Sequence, residues 1–77
     1  MIATHKIDTI RFNQDFIILN IDGNELTIPL DKLSSRLKSA TDIERAMYKI
    51  SPSGYGIHWP LIDEDLSIDG ILRDFAK

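Results

Sequence analysis

A chain of 77 residues carrying a net charge of −3 holds one domain, expected over 1–77, and a domain this small buries only about 60–65% of the surface its unfolded form exposes. Its apolar share of 43% and charged share of 27% are those of a globular protein, which excludes a disordered tail. The absence of cysteine excludes a disulfide framework, a zinc–thiolate site and a thiol nucleophile. No apolar run approaches the roughly 18 residues of a membrane span, and the start of the chain lacks a secretory pattern, so no membrane association and a cytoplasmic location are expected.

In chain order, Lys6 to Phe12 alternates loosely, with Ile7, Ile10 and Phe12 apolar, and predicts a first strand. After the polar break Asn13-Gln14-Asp15, the run Phe16 to Ile21 is β-branched and aromatic and predicts a second. Asp22-Gly23 is a hairpin signal, because the turn needs residues that tolerate positive φ. Asn24 to Leu30 alternates again and completes an antiparallel meander. In its central strand Ile17, Leu19 and Ile21 share one face and Phe16 and Ile18 the other. A half-exposed strand shows polar residues on its wet face. Either further elements cover both faces or a partner chain meets Phe16 and Ile18, which makes those two residues a candidate interface and a homodimer one way to fill it.

Asp31 is placed to cap a short helix in which Leu33, Leu37 and Ala40 fit one face, weakened by Ser34, Ser35 and Ser39. Thr41-Asp42-Ile43-Glu44 is a capping box for a second short helix, on which Ile43 and Met47 fall on one face, four apart. Tyr48 to Ser51 reads as a strand, Pro52-Ser53-Gly54 as a turn, and Tyr55 to Trp59 as a strand closed by Pro60. Leu61 to Asp65 reads as an acidic loop. Ser67 caps a last helix with Ile68, Ile71, Leu72 and Phe75 at helical spacing. Strands, then helices, then a strand pair and a helix argue an α+β fold.

Charge is unevenly spread. Lys32, Arg36, Lys38, Arg45 and Lys49 stand against only Asp42 and Glu44 in the middle, between two acidic ends. This basic face is a candidate for nucleic acid, although an acidic protein is poorly suited to strong non-specific binding. Gly54 to Asp65 is the densest stretch of costly residue types. Its Trp59, the single tryptophan, is expected to plug the core. The functional alternative is a ledge of Tyr55, Gly56, His58 and Trp59 beside Asp63, Glu64 and Asp65, able to take a small ligand or a metal ion. No metal-ligand spacing, phosphate loop or nucleophile motif supports it, so no catalytic residues, metal or cofactor are expected and the chain is not expected to be an enzyme.

The segment G-Y-G-I-H-W-P-L-I-D-E-D-L-S-I-D-G-I-L at 54–72 resembles the C-terminal signature of the bacterial domain-of-unknown-function family 2442 (DUF2442). The D-G hairpin at 22–23, I-P-L at 28–30 and A-T-D-I-E-R at 40–45 extend the resemblance over nearly the whole chain. The resemblance implies no reaction and no catalytic residues. It implies small domains often found beside a second small domain, in an arrangement similar to a toxin–antitoxin pair. Some relatives carry an added helix-turn-helix, for which a chain ending at Lys77 leaves no room. The expected function is therefore a protein-interaction module, antitoxin-like, whose partner is another small protein.

Overall fold

In the computed structural model, which describes residues 4–76, the chain forms two antiparallel three-stranded sheets and four helices around one shared core. The ends of the expected domain, residues 1–3 and 77, lie outside the described residues. The first sheet is the predicted meander of β1 (Ile7–Asn13), β2 (Phe16–Ile21) and β3 (Asn24–Pro29), in the order β1-β2-β3. Its hairpin turns on Asp22 and Gly23, both at positive φ (53° and 84°). That is the geometry whose twist matches the flanking strands.

Ile17, Leu19 and Ile21 of β2 are buried, and Ile28 of β3 joins them from the same face. The opposite face is mixed. Register places Arg11, Ile18 and Thr27 side by side there, and Asn20 beside Thr9 and Glu25. An Arg11–Glu25 ion pair (3.1 Å) crosses β2 between Ile18 and Asn20. The wet face of the meander is thus carried by long polar side chains from the edge strands, with Ile18 partly buried and Phe16 exposed.

The strand ends one residue earlier than its alternation predicts. Leu30, read as strand, opens α1 (Leu30–Leu33) and is fully buried. Asp31 does not cap this helix: Pro29 occupies the N-cap without a side-chain bond, and Asp31 sits in the first turn. Nor is there one helix over 33–40. Ser34, extended at φ −160°, breaks the run and caps α2 (Ser35–Ser39) by accepting a hydrogen bond from the Leu37 amide (3.1 Å). The serines that weaken a long helix stabilise two short ones. The capping box forms as predicted at α3 (Asp42–Ala46), with Thr41 and Glu44 bonded reciprocally.

The second sheet has the order β4-β5-β6, from β4 (Lys49–Ile50), β5 (Gly56–Trp59) and β6 (Glu64–Ser67). The expected acidic loop thus ends inside a strand. A 3₁₀ turn at Pro52–Gly54 joins β4 to β5, and α4 (Ile68–Phe75) follows β6 with Ser67 as its cap. Ile57, Trp59 and Leu66 face inward and meet Ile68 and Ile71 of α4 and the inner face of the first sheet. Trp59 is completely buried, in edge-to-face contact with Phe12 at 6.4 Å between ring centroids. The expectation of a core tryptophan holds, and it removes Trp59 from any surface ledge.

Candidate functional site

Alternation along β5 and β6 separates the residues expected on the ledge. Trp59 and Glu64 are register partners on the inner face, and Glu64 turns toward Ser34, whose hydroxyl donates to its carboxylate. The backbone carbonyl of Asp63 accepts from the Arg36 guanidinium. Only His58 and Asp65 of the expected ring-and-acid set meet, paired across the strands with Nδ1 and Oδ1 2.7 Å apart. Lys49 lies opposite His58 on the other side, so β4, β5 and β6 present Lys49, His58 and Asp65 as a row on the outer face. Next to that row, Gly56 lies beside Ser67, and Ser51 accepts from the Gly56 amide (2.9 Å). The short residues leave an open groove of about 620 Å³ over the sheet, walled by Ile50, Pro52 and Tyr55. Tyr55, Gly56, His58 and Asp65 therefore come together, and Trp59, Asp63 and Glu64 do not join them. Among the described residues no group of three or more His, Asp and Glu side chains is placed to hold a metal ion.

The basic face is dispersed. Arg45 is buried: its Nε donates to the Leu37 carbonyl (3.0 Å), its terminal nitrogen to the Lys38 carbonyl (3.1 Å), and its guanidinium lies 5.1 Å from the centre of the Phe12 ring. It closes the C-terminal end of α2, bonding the Lys38 carbonyl and adding a second donor to the Leu37 carbonyl, which also accepts from the Ala40 amide. Arg36 is committed to the carbonyls of Ile62 and Asp63. Lys32 and Lys38 remain exposed on the helices, and Lys49 stands apart on the second sheet.

Burying Arg45 sets the rotation of α3 and turns its apolar residues outward. Ile43 is 74% exposed and Met47 51%. Tyr48 and Ile50 follow, also exposed, so every residue from Ala46 to Ile50 is on the surface, leading into β4 at the edge of its sheet. The four-residue spacing of Ile43 and Met47 was legible in the sequence, but not which way that face points.

A third cluster escaped the sequence entirely. His5 lies between Asp22 of the hairpin and Asp69 at the start of α4, with Nδ1 2.9 Å from one carboxylate and Nε2 2.7 Å from the other. A carboxylate only accepts, so the imidazole that bonds both is the protonated form. The Asp22 hydrogen bond, then that of Asp69, raises the His5 pKa above its ordinary 6.5. The hydrogen bond from His5, then the Lys6 amide, lowers that of Asp22 below 3.8. The backbone is fastened at the same place: the His5 amide donates to Ser53, and Lys6 to Asp22. Gly54, at φ +63°, passes so close beneath that a Cβ would stand 2.0 Å from the His5 carbonyl oxygen.

The family model described as "Protein of unknown function (DUF2442)" matches residues 7–77. The chain belongs to the DUF2442 family. A comparison with curated proteins finds no match. Among solved structures, a protein of unknown function from Rhodospirillum rubrum ATCC 11170 is similar at 26% identity and a TM-score of 0.70, over 92% of this chain and 88% of that one. The DUF2442 fold described above is thus shared with a crystal structure to which no activity is attached. Among the described residues no helix is long and apolar enough to cross a membrane.

Proposed function

We propose that this DUF2442 chain is a protein-interaction module whose contact surface is the strip from Ile43 to Ile50. The observation that carries this reading is the outward face of α3. A five-residue helix that buries an arginine and exposes its isoleucine, with an exposed methionine at its C-cap, gives up hydrophobic burial a small domain needs. That loss is offset if a second chain covers the strip. Met is adaptable and tyrosine amphipathic, both common at contact surfaces. β4, at the sheet edge, also offers unpaired backbone groups for strand addition.

The partner fitting these features is another small protein with an apolar contact face. The paired arrangement implied by the family resemblance agrees with that, this chain being the antitoxin-like member. Phe16 and Ile18 give a weaker second surface, because the Arg11–Glu25 pair divides the face they share.

The test is a pull-down from the native host with wild type and with an Ile43→Asp/Met47→Asp double variant, each checked for fold by circular dichroism. The expected result is a folded variant that loses a stoichiometric partner, with Phe16→Asp retaining it. A double variant that keeps the partner removes this surface, and loss on Phe16→Asp alone would move the contact to the meander.

A further inference from the structure

We propose that the groove on the outer face of the second sheet is a binding site for a small carboxylic acid with a compact apolar body. The inference does not rest on the contact strip: Lys49 and Ile50 at the end of that strip line the groove, but Ile43 and Met47, which carry the strip, do not. Three observations combine. The groove, at about 620 Å³, lies in the size range of small-molecule sites, roughly 300–1,000 Å³. Pro52, Tyr55 and Gly56 are among its lining, so a flat or branched apolar body meets apolar side chains and glycine backbone. At one end stand the polar groups of the row. Lys49 makes no ion pair among the described residues, and His58 spends Nδ1 on Asp65 while Nε2 has no protein partner among them.

The chain itself shows what completes such an imidazole. His5 is held between two carboxylates, one on each ring nitrogen, at 2.9 and 2.7 Å. At His58 half of the same arrangement is built, with Asp65 at 2.7 Å. A carboxylate arriving through the groove supplies the other half and takes a second, charge-assisted contact from the Lys49 ammonium, which register sets beside His58. Asp65 neighbours the incoming anion, and the imidazole between them separates the two charges, as His5 separates Asp22 from Asp69. An amine-bearing ligand would meet Lys49 and is disfavoured. The acid is selected over its amide because the carboxylate offers two acceptor oxygens and a charge opposite to that of Lys49, where the amide offers one neutral oxygen and an NH2 that can only donate.

The test is a heteronuclear NMR titration of the full chain, following the His58 imidazole and Tyr55 ring signals. The probes are benzoate and phenylacetate, with benzamide and benzylamine as matched controls. The expected result is a saturable shift of His58 and Tyr55 with the acids, at least about ten-fold weaker binding of the amide, and a loss of about ten-fold for Lys49→Met. Lys49 is exposed on an edge strand, so Lys49→Met keeps the fold, which unchanged Trp59 emission verifies. The proposal is overturned if neither acid moves the His58 signals, if benzamide binds as well as benzoate, or if Lys49→Met leaves acid affinity unchanged. Because Ile43→Asp/Met47→Asp does not touch the groove, failure here and failure of the contact strip are separable.

Discussion

Replacing Arg45 tests the rotation of α3, on which the contact strip depends. Arg45→Met keeps most of the apolar stem and removes the guanidinium. Two hydrogen bonds from it to the Leu37 and Lys38 carbonyls are lost, at 3.0 and 3.1 Å, with the cation–π contact to Phe12 at 5.1 Å. A hydrogen bond involving a charged group is worth about 1.5–3 kcal/mol, and a cation–π contact about 0.5–1. The Leu37 carbonyl keeps a second donor in the Ala40 amide, and the methionine recovers some burial, so the net cost is about 3 kcal/mol. That is a large share of the roughly 4–12 kcal/mol expected of a domain this size, and it lowers the melting temperature by about 12–24 °C. Ile43→Asp should change stability by no more than about 0.5 kcal/mol, because the residue is 74% exposed. Both are read by urea denaturation followed through Trp59 emission, at matched m-values. If Arg45→Met is neutral and Ile43→Asp costs about 2 kcal/mol or more, α3 is rotated the other way and the strip is part of the core.

The His5 clasp gives a pH dependence of definite sign. Its raised pKa means that its contribution is complete below the ordinary value of 6.5 and is lost as pH rises through the folded value; the lowered pKa of Asp22 means that its contribution is present above 3.8 and is lost as pH falls through its own folded value. The stability difference between wild type and His5→Ala is therefore greatest between pH 4 and 6.5 and shrinks on both sides; a difference that is flat across this range, measured by urea titration, contradicts the double bridge. Gly54→Ala combines a positive φ with a Cβ that would press on the His5 carbonyl, so it should cost about 2 kcal/mol or more and loosen the N-terminal segment, seen as faster amide exchange at His5 and Lys6. A neutral Gly54→Ala would mean that the segment does not lie over the turn.

What the sequence disclosed were the features set by local rules. The Asp22-Gly23 turn, the alternation of β2 and β3, the capping box at Thr41 and the spacing of α4 are decided within a few residues, and they stand where expected. β6 was hidden because Glu64-Asp65 has poor strand propensity, yet its burial alternates correctly once β5 pairs with it. Arg45 read as a surface cation because arginine is almost always one. Its role depends on two α2 carbonyls several residues upstream, placed by a helix break at Ser34. His5 had no local signal at all: its partners are 17 and 64 residues away, and only the closed fold joins them. Of the ledge, the sequence gathered the right segment and could not divide it, because the division follows from which residues of β5 and β6 face inward.

That division makes the groove worth testing. The dense stretch from Gly54 to Asp65 has two kinds of residue. Gly54 admits the His5 backbone, Trp59 fills the core and donates to the Arg45 carbonyl at 3.0 Å, and Glu64 accepts from Ser34. Each of these fastens the short second sheet to the rest of the molecule, where strands of two to four residues bury little area of their own. Tyr55, His58 and Asp65 fasten nothing of that kind. Tyr55 is half exposed, and the His58–Asp65 pair lies on the outer face, where an exposed ion pair adds little stability. Aromatic and imidazole side chains on a wet sheet face add little to folding, while a ligand seated in the groove between them would use every one.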